Sequence, residues 1–263
     1  MDLGLKNKVA VILAASSGIG KGIATVLAEE GCKIAICARD KNKLMKVADE
    51  IKGLTGTEVL AIPADVSDKS SLDIYFDEVI KTFGSVDILI NNSGGPLPGK
   101  SIELNDDDYI AAFELVLMSK IRACRRVIPG MQSKSWGRII NIESTSVKSV
   151  LNNMALSNIF RSASASFAKT LSLEFANSGI RVHTLLSGPF LTNRINELGE
   201  LAAKEKNISF EEWKIEAESN TPLGRFGDPL EFGSLVAFLV SEKADYMNGT
   251  SIAIDGGVLR AIY

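Results

Sequence analysis

Histidine is nearly absent from this chain: His183 is the only one in 263 residues. That excludes a histidine-rich metal site and leaves any acid–base triad at most one imidazole to draw on. Cysteine is scarce as well. Cys32, Cys37 and Cys124 form neither an even framework nor a CxxC pair, which argues against disulfides and a thiolate zinc site and points to a reducing, cytoplasmic setting. Basic charge is not in excess, with 29 Lys and Arg against 32 Asp and Glu, so the chain has no electrostatic footprint for nucleic acid. The local cluster Arg122, Arg125 and Arg126 reads as a solvated helix face. No stretch approaches the ~20 apolar residues of a membrane span. Near the amino terminus, Lys6 and Lys8 followed by Val9 to Leu13 and Ala14-Ala15-Ser16 imitate a secretion signal. That apolar run is shorter than a signal's core, and the glycines and amphipathic helix after it are those of a βα unit.

What the chain does have is 46% hydrophobic residues, enough for a sizeable buried core. Short β-branched runs alternate with longer helical patterns: Val9 to Leu13, Lys33 to Ala38, Val59 to Ile62, Val86 to Ile90, Arg138 to Ile142, Arg181 to Leu186 and Ser251 to Ile254. This is the βαβ rhythm. The strands are almost continuously apolar, so both their faces are buried and a parallel sheet with helices on each side is expected. Asn105 and Asp228-Pro229 are expected helix starts, and Ser209 with Glu212 forms a capping-box pattern. No repeat, low-complexity tract or linker divides residues 1–263, so a single domain is expected. The charged segment 192–220 stands apart as a helical lid after the sixth strand. Its alternative is a surface helical pair packed through Phe210 and Trp213.

After the first strand comes Ala14-Ala15-Ser16-Ser17-Gly18-Ile19-Gly20, opening a helix that runs to about Glu30. Glycine here lets backbone approach a pyrophosphate, and the helix N-terminus offers free N–H groups and a positive dipole end. The same residues would also make a plain tight turn, but the position between a strand and a helix is the context the phosphate-binding motif requires. The second strand ends Cys37-Ala38-Arg39. An NAD pocket of this architecture carries an acid there for the ribose hydroxyls. A guanidinium instead favours a 2′-phosphate and hence NADP over NAD, unless Arg39 pairs with Asp40 or Glu50.

These motifs together resemble the short-chain dehydrogenase/reductase family, in particular its 3-oxoacyl-ACP reductase-like members, over essentially the whole chain. The glycine turn, with Ser16, Ser17, Gly18, Ile19 and Gly20, resembles the family's TGxxxGIG, with Leu13 and Ala14 in place of Thr and Gly. Asp65-Val66 resembles the adenine-contacting pair, and Asn91-Asn92-Ser93-Gly94 resembles NNAG, placing Asn92, Ser93 and Gly94 at the cofactor. Gly188-Pro189 with Thr192 resembles the segment touching nicotinamide and phosphates, and Asp255-Gly256-Gly257 the family's ending. The resemblance implies an α/β, Rossmann-like, doubly wound seven-stranded parallel sheet in three αβα layers. It also implies a homodimer or homotetramer built on the long helices after the fourth and fifth strands.

In the family, four residues cooperate. Tyr passes a proton to the carbonyl, Lys lowers the Tyr pKa and holds the nicotinamide ribose, Ser grips the substrate oxygen and Asn positions a water. Ser144 matches the serine. The family's usual spacing then puts Ser157 and Arg161 at the Tyr and Lys positions and Val116 at the Asn position. None of Tyr75, Tyr109, Tyr246 and Tyr263 lies between Ser144 and Arg161. A serine hydroxyl is far less acidic than a phenol, and a guanidinium keeps its charge but relays no proton. The expected catalytic set is Ser144, Ser157, Arg161 and Lys148, with Arg161 also at the cofactor. Lys148, in the loop after the fifth strand, is the first candidate for the missing proton donor. A water is an equal one, and Glu143 and Lys120 are weaker ones. His183, where the family often has Asn, reads as a structural histidine. The expected function is NADP-preferring hydride transfer with a small carbonyl or alcohol. The alternatives are an inert NADP-binding sensor or partner subunit and, behind them, a lyase or isomerase.

Overall fold

The computed structural model describes residues 1–262. Seven strands run in chain order as β1 (Val9–Ile12), β2 (Lys33–Ala38), β3 (Val59–Pro63), β4 (Ile88–Asn91), β5 (Gly137–Ser144), β6 (Ile180–Ser187) and β7 (Ser251–Ile254). They form one parallel sheet in the order β3-β2-β1-β4-β5-β6-β7, each strand in register with its neighbour. The chain winds outward from β1 to β3, crosses back, and winds the other way from β4 to β7. The order therefore reverses between β1 and β4, and in such a sheet the crevice outside the carboxyl ends at that reversal is the ligand site.

The inner strands are buried on both faces, as expected, but the edge strands are not: β3 is only partly covered and β7 leaves Ser251 and Ala253 exposed, because an edge strand has a neighbour on one side only. Ala10, Ile12, Ile34 and Ile36 face α1 (Gly18–Glu29), α2 (Lys41–Thr55) and α9 (Pro229–Val240), where they pack with Ile23, Leu27, Leu44, Phe232 and Val236. Val11, Leu13, Ala35 and Cys37 face the other way, toward α3 (Lys69–Phe83), α5 (Ser119–Ser133) and α6 (Ala155–Glu174), meeting Tyr75, Phe76, Val127 and Leu171. The three layers are thus a consequence of strand alternation. All three cysteines are buried and unpaired, and burial pushes each thiol up to about 12, so none is a reactive thiolate at neutral pH.

The helix starts behave as their sequences dictate. Asn105 opens α4 (Asp106–Ala112), Ser209 opens α8 (Phe210–Ser219) and Asp228 opens α9, each with a reciprocal capping box. One feature is not local. Between α4 and α5 the helix widens into a π turn over Phe113–Met118, which carries Val116 and precedes Lys120. Arg122 and Arg126 are not a free solvated face: they tie α5 to Glu114 and to Asp77 of α3, because α3 lies alongside. Among the described residues no helix is long and apolar enough to cross a membrane, and no group of His, Cys, Asp and Glu could hold a metal ion.

Candidate functional site

The carboxyl ends of β1, β4, β5 and β6 lie along one edge of the sheet and carry the predicted residues. After β1 the chain turns at Ala14 into α1. Ala14 sits at φ +50, the left-handed region where a Cβ is strained, and this is the position at which the family's pattern has glycine. Gly18 is also left-handed, at φ +54, and a Cβ there would stand 2.9 Å from Cγ2 of Thr192. The glycine turn and the start of α7 (Asn193–Lys206) are thus in contact, although 174 positions of chain separate them. Asn92 closes the turn from the other side, donating from Nδ2 to the carbonyls of Leu13 and Ala14 at 3.2 and 3.1 Å.

The donors at the start of α1 remain open. Ser17 is its N-cap, yet its side chain accepts no bond from the helix, whereas Asp40, Asp68, Asn105, Thr192, Ser209 and Asp228 each cap theirs. Uncapped N–H groups beside a glycine are what a pyrophosphate needs. At the end of β2, Arg39 is exposed and makes no ion pair among the described residues. Its two competing partners are engaged elsewhere, Glu50 with Lys21 at 2.5 Å and Asp40 capping α2 through Lys43. Ser93 Oγ is buried without a partner beside this crevice. Asp65 spends its carboxylate on Ser67, while Val66 is buried beside it. An uncapped helix start, an unpaired guanidinium and an orphaned hydroxyl fit a phosphorylated dinucleotide.

The second half of the site lies at the end of β5. Ser144 Oγ accepts from Ser146 N at 3.2 Å and opens a short 3-10 turn over Thr145–Val147. That turn aims Ser146 Oγ at Ser157 Oγ on α6, 3.4 Å away. One turn further along α6, Arg161 Nε donates to Ser157 Oγ at 3.2 Å, and its Nη1 donates to the Ile142 carbonyl at 3.3 Å and to Glu143 Oε2 at 3.2 Å. Ser144, Ser157 and Arg161 are therefore brought together. Lys148 is not drawn into that group: it is exposed at the end of the 3-10 turn, and its ammonium makes no hydrogen bond or ion pair among the described residues. Gly188, Pro189 and Thr192 follow β6 at the rim, where Phe190 bridges to Gly227.

Sequence reading named two further residues only as weaker proton-donor candidates and did not single out two others. Lys120 and Glu143 form a fully buried ion pair directly behind Ser157 and Arg161. Ser146 links Ser144 to Ser157, and Arg194 on α7 donates from Nη2 to the Pro96 carbonyl at 3.0 Å, fastening the helical segment to the loop after β4. A charged residue inside the apolar run of β5 was the one signal available for Glu143; nothing local marked the others. The segment 192–220 is the helical pair α7 and α8. They pack through Trp213 on Gly199, with Phe210 and Trp213 stacked at 5.6 Å.

Known proteins match this architecture along its length. A family model described as Enoyl-(Acyl carrier protein) reductase covers residues 13–259. The NADPH-dependent reductase BacG of Bacillus subtilis is 30% identical over 259 residues, spanning 98% of this chain and all of BacG. A 3-oxoacyl-(acyl-carrier-protein) reductase FabG of Staphylococcus epidermidis is 31% identical over 96% of this chain and 99% of its own. The L-sorbose reductase of Gluconobacter frateurii, solved with NADPH and L-sorbose, superposes with a TM-score of 0.95 at 32% identity over the full length of both chains. With a family model matched over residues 13–259 and relatives of 30% identity or more along the whole length, this chain belongs to the short-chain dehydrogenase/reductase family.

Proposed function

We propose that this protein is an NADP-dependent oxidoreductase that moves hydride between nicotinamide and a small carbonyl or alcohol, at a site in which Ser157 and Arg161 stand where relatives use Tyr and Lys. The observation that carries the reading is the contact of Arg161 Nε with Ser157 Oγ, 3.2 Å apart, with Ser144 connected to the pair through Ser146. When bound, the dinucleotide supplies the hydride. Ser17, Gly18 and Ile19 hold its pyrophosphate through the open N–H groups of α1, and Arg39 takes the 2′-phosphate. The relatives whose names or bound molecules include NADPH support this choice of cofactor. Asn92, Ser93 and Gly94, with Gly188, Pro189 and Thr192, line the nicotinamide end.

Ser144 and Ser157 donate to the substrate oxygen. Arg161 fills one lone pair of Ser157 Oγ, so the Ser157 proton is directed either to Ser146 Oγ or to the substrate, and the fixed charge of Arg161 stabilises the oxygen as negative charge develops there. The guanidinium keeps its proton, so the proton that completes reduction comes from Lys148 at the rim or from water. Losing a phenolic acid costs typically 10²- to 10⁴-fold in rate, and slow turnover is expected. The exposed apolar faces of α4 and α6 support a second copy of the chain as the natural partner.

Fluorescence titration with NADPH and NADH, followed by turnover against a carbonyl panel, tests the reading. Arg39→Ala is expected to weaken NADPH by roughly 10- to 100-fold, the worth of a charge-assisted contact, and NADH little. Equal losses for the two cofactors would sink the 2′-phosphate assignment. Tight binding with no turnover on the panel would favour a nucleotide-binding sensor over an enzyme.

A further inference from the structure

Two cations share one buried carboxylate behind Ser157. Lys120, on α5 just past the π turn, is 1% exposed, and its Nζ donates to Glu143 Oε1 and, at 3.4 Å, to the Ile142 carbonyl. Glu143 has no side-chain exposure, and its other oxygen, Oε2, holds Arg161 Nη1. The backbone carbonyl of Glu143 accepts from Ser187 Oγ at 3.0 Å, so β5 is tied to β6 at the same point. Burial pushes the Lys120 ammonium below its usual range, with Glu143 opposing that push and Arg161 adding to it.

Such an arrangement is not explained by stability. A buried ion pair is seldom more stabilising than apolar side chains of the same size, and here one carboxylate offsets only one of two positive charges. Its effect is geometric. Arginine is long and flexible, and pinning Nη1 between Glu143 and the Ile142 carbonyl turns the planar guanidinium so that Nε points at Ser157 Oγ. Nη2 is left without an acceptor among the described residues and is available to a ligand.

We propose that Glu143 is a positioning residue that orients Arg161 toward Ser157 and the cofactor, with Lys120 as the buried counter-cation that holds Glu143 in place. This rests on the reading of Ser157 and Arg161 as the site's working pair. The Glu143 carboxylate itself contacts Lys120 and Arg161, so its charge acts on the crevice through the guanidinium, while its backbone holds Ser187 whatever the side chain.

NADPH affinity measured by fluorescence in a double-mutant cycle tests the proposal without requiring turnover. Glu143→Gln, which keeps the size and removes the charge, is expected to weaken NADPH by roughly 3- to 30-fold in the native background, and by less than about twofold when Arg161→Ala is already present. Equal losses in both backgrounds overturn the proposal. The pair Lys120→Met with Glu143→Gln removes both buried charges together, gives a foldable alternative if the single change does not fold, and is expected to show the same dependence on Arg161. Where carbonyl turnover is measurable, Glu143→Gln should lower kcat more than it raises the carbonyl KM; a change in melting temperature with unchanged kcat and affinity would mean a structural role only. Native protein that binds NADPH but shows additive variants overturns this inference alone. Native protein that binds but never turns over overturns the oxidoreductase reading alone, and absence of NADPH binding overturns both.

Discussion

His183 sits in the middle of β6, 1% exposed, with Nδ1 2.7 Å from Thr250 Oγ1 and Nε2 buried without a partner. Burial, followed by the charges of Arg138 and Arg181, lowers its pKa to about 4. In the unfolded chain the imidazole titrates near ~6.5, so below that pH the unfolded chain takes up a proton that the folded one refuses. Its contribution is therefore fully present above about pH 6.5 and is lost as pH falls toward 4. Urea unfolding between these pH values should show a falling midpoint, and His183→Asn, which keeps a hydrogen-bonding group near Thr250, should flatten that fall. An unchanged pH dependence in the variant would show that other groups account for it. At this scale the sequence was informative only about residue type. A lone histidine in an apolar strand reads as a structural, paired residue; it is buried and Nδ1 meets Thr250, but Nε2 is left unpaired. Glu143 is marked only as a charge within an apolar strand and Lys120 by nothing local; that the two meet, fully buried, is decided by the packing of α5 on β5.

Helix starts were readable because capping is local. Asn105, Ser209 with Glu212, and Asp228 satisfy N–H groups within three residues of themselves, so no tertiary contact is needed to place them. The role of α7 and α8 was not readable, because it depends on what they cover. Gly199 on α7 faces the Trp213 indole so closely that any Cβ would overlap the ring, Trp213 in turn leans on Phe226 at 6.3 Å, and Arg194 anchors the base of α7 to the loop after β4. Gly199→Val should push α8 away from α7 at an overpacking cost of about 1–3 kcal/mol. If the pair acts as a lid, the variant's KM for a carbonyl substrate rises several-fold while its NADPH affinity stays within about twofold of native. A variant that melts earlier but keeps the native KM would make α7 and α8 a surface cover and nothing more.

At the scale of the molecule, α4, the π turn and α6 leave an apolar face uncovered. Ile110 is 59% exposed, Ile159 45% and Phe113 37%, and Phe160 sits between Tyr109 and Phe113 at 6.3 and 6.1 Å. We propose that this contiguous aromatic and aliphatic patch is where a second copy of the chain docks. Light scattering at micromolar concentration should give a mass of at least two chains, and Ile110→Asp with Ile159→Asp should give the monomer; a native monomer would remove the second copy from the account.

What the sequence determined by itself is whatever depends on period and on near neighbours: inner strands buried on both faces, the layered α/β order, the glycine turn after β1, the caps, and the residue types at 144, 157 and 161. Each follows from side-chain alternation or from hydrogen bonds a few residues long. Only the tertiary structure decided which of those residues meet. Gly18 lies against Thr192, Ser146 bridges toward Ser157, and Arg161 is turned by Glu143, which Lys120 holds from another helix. The first contact joins the chain after β1 to the chain after β6 at the strands' carboxyl ends, and the others are placed by the packing of α5 and α6 on β5, which no local pattern records.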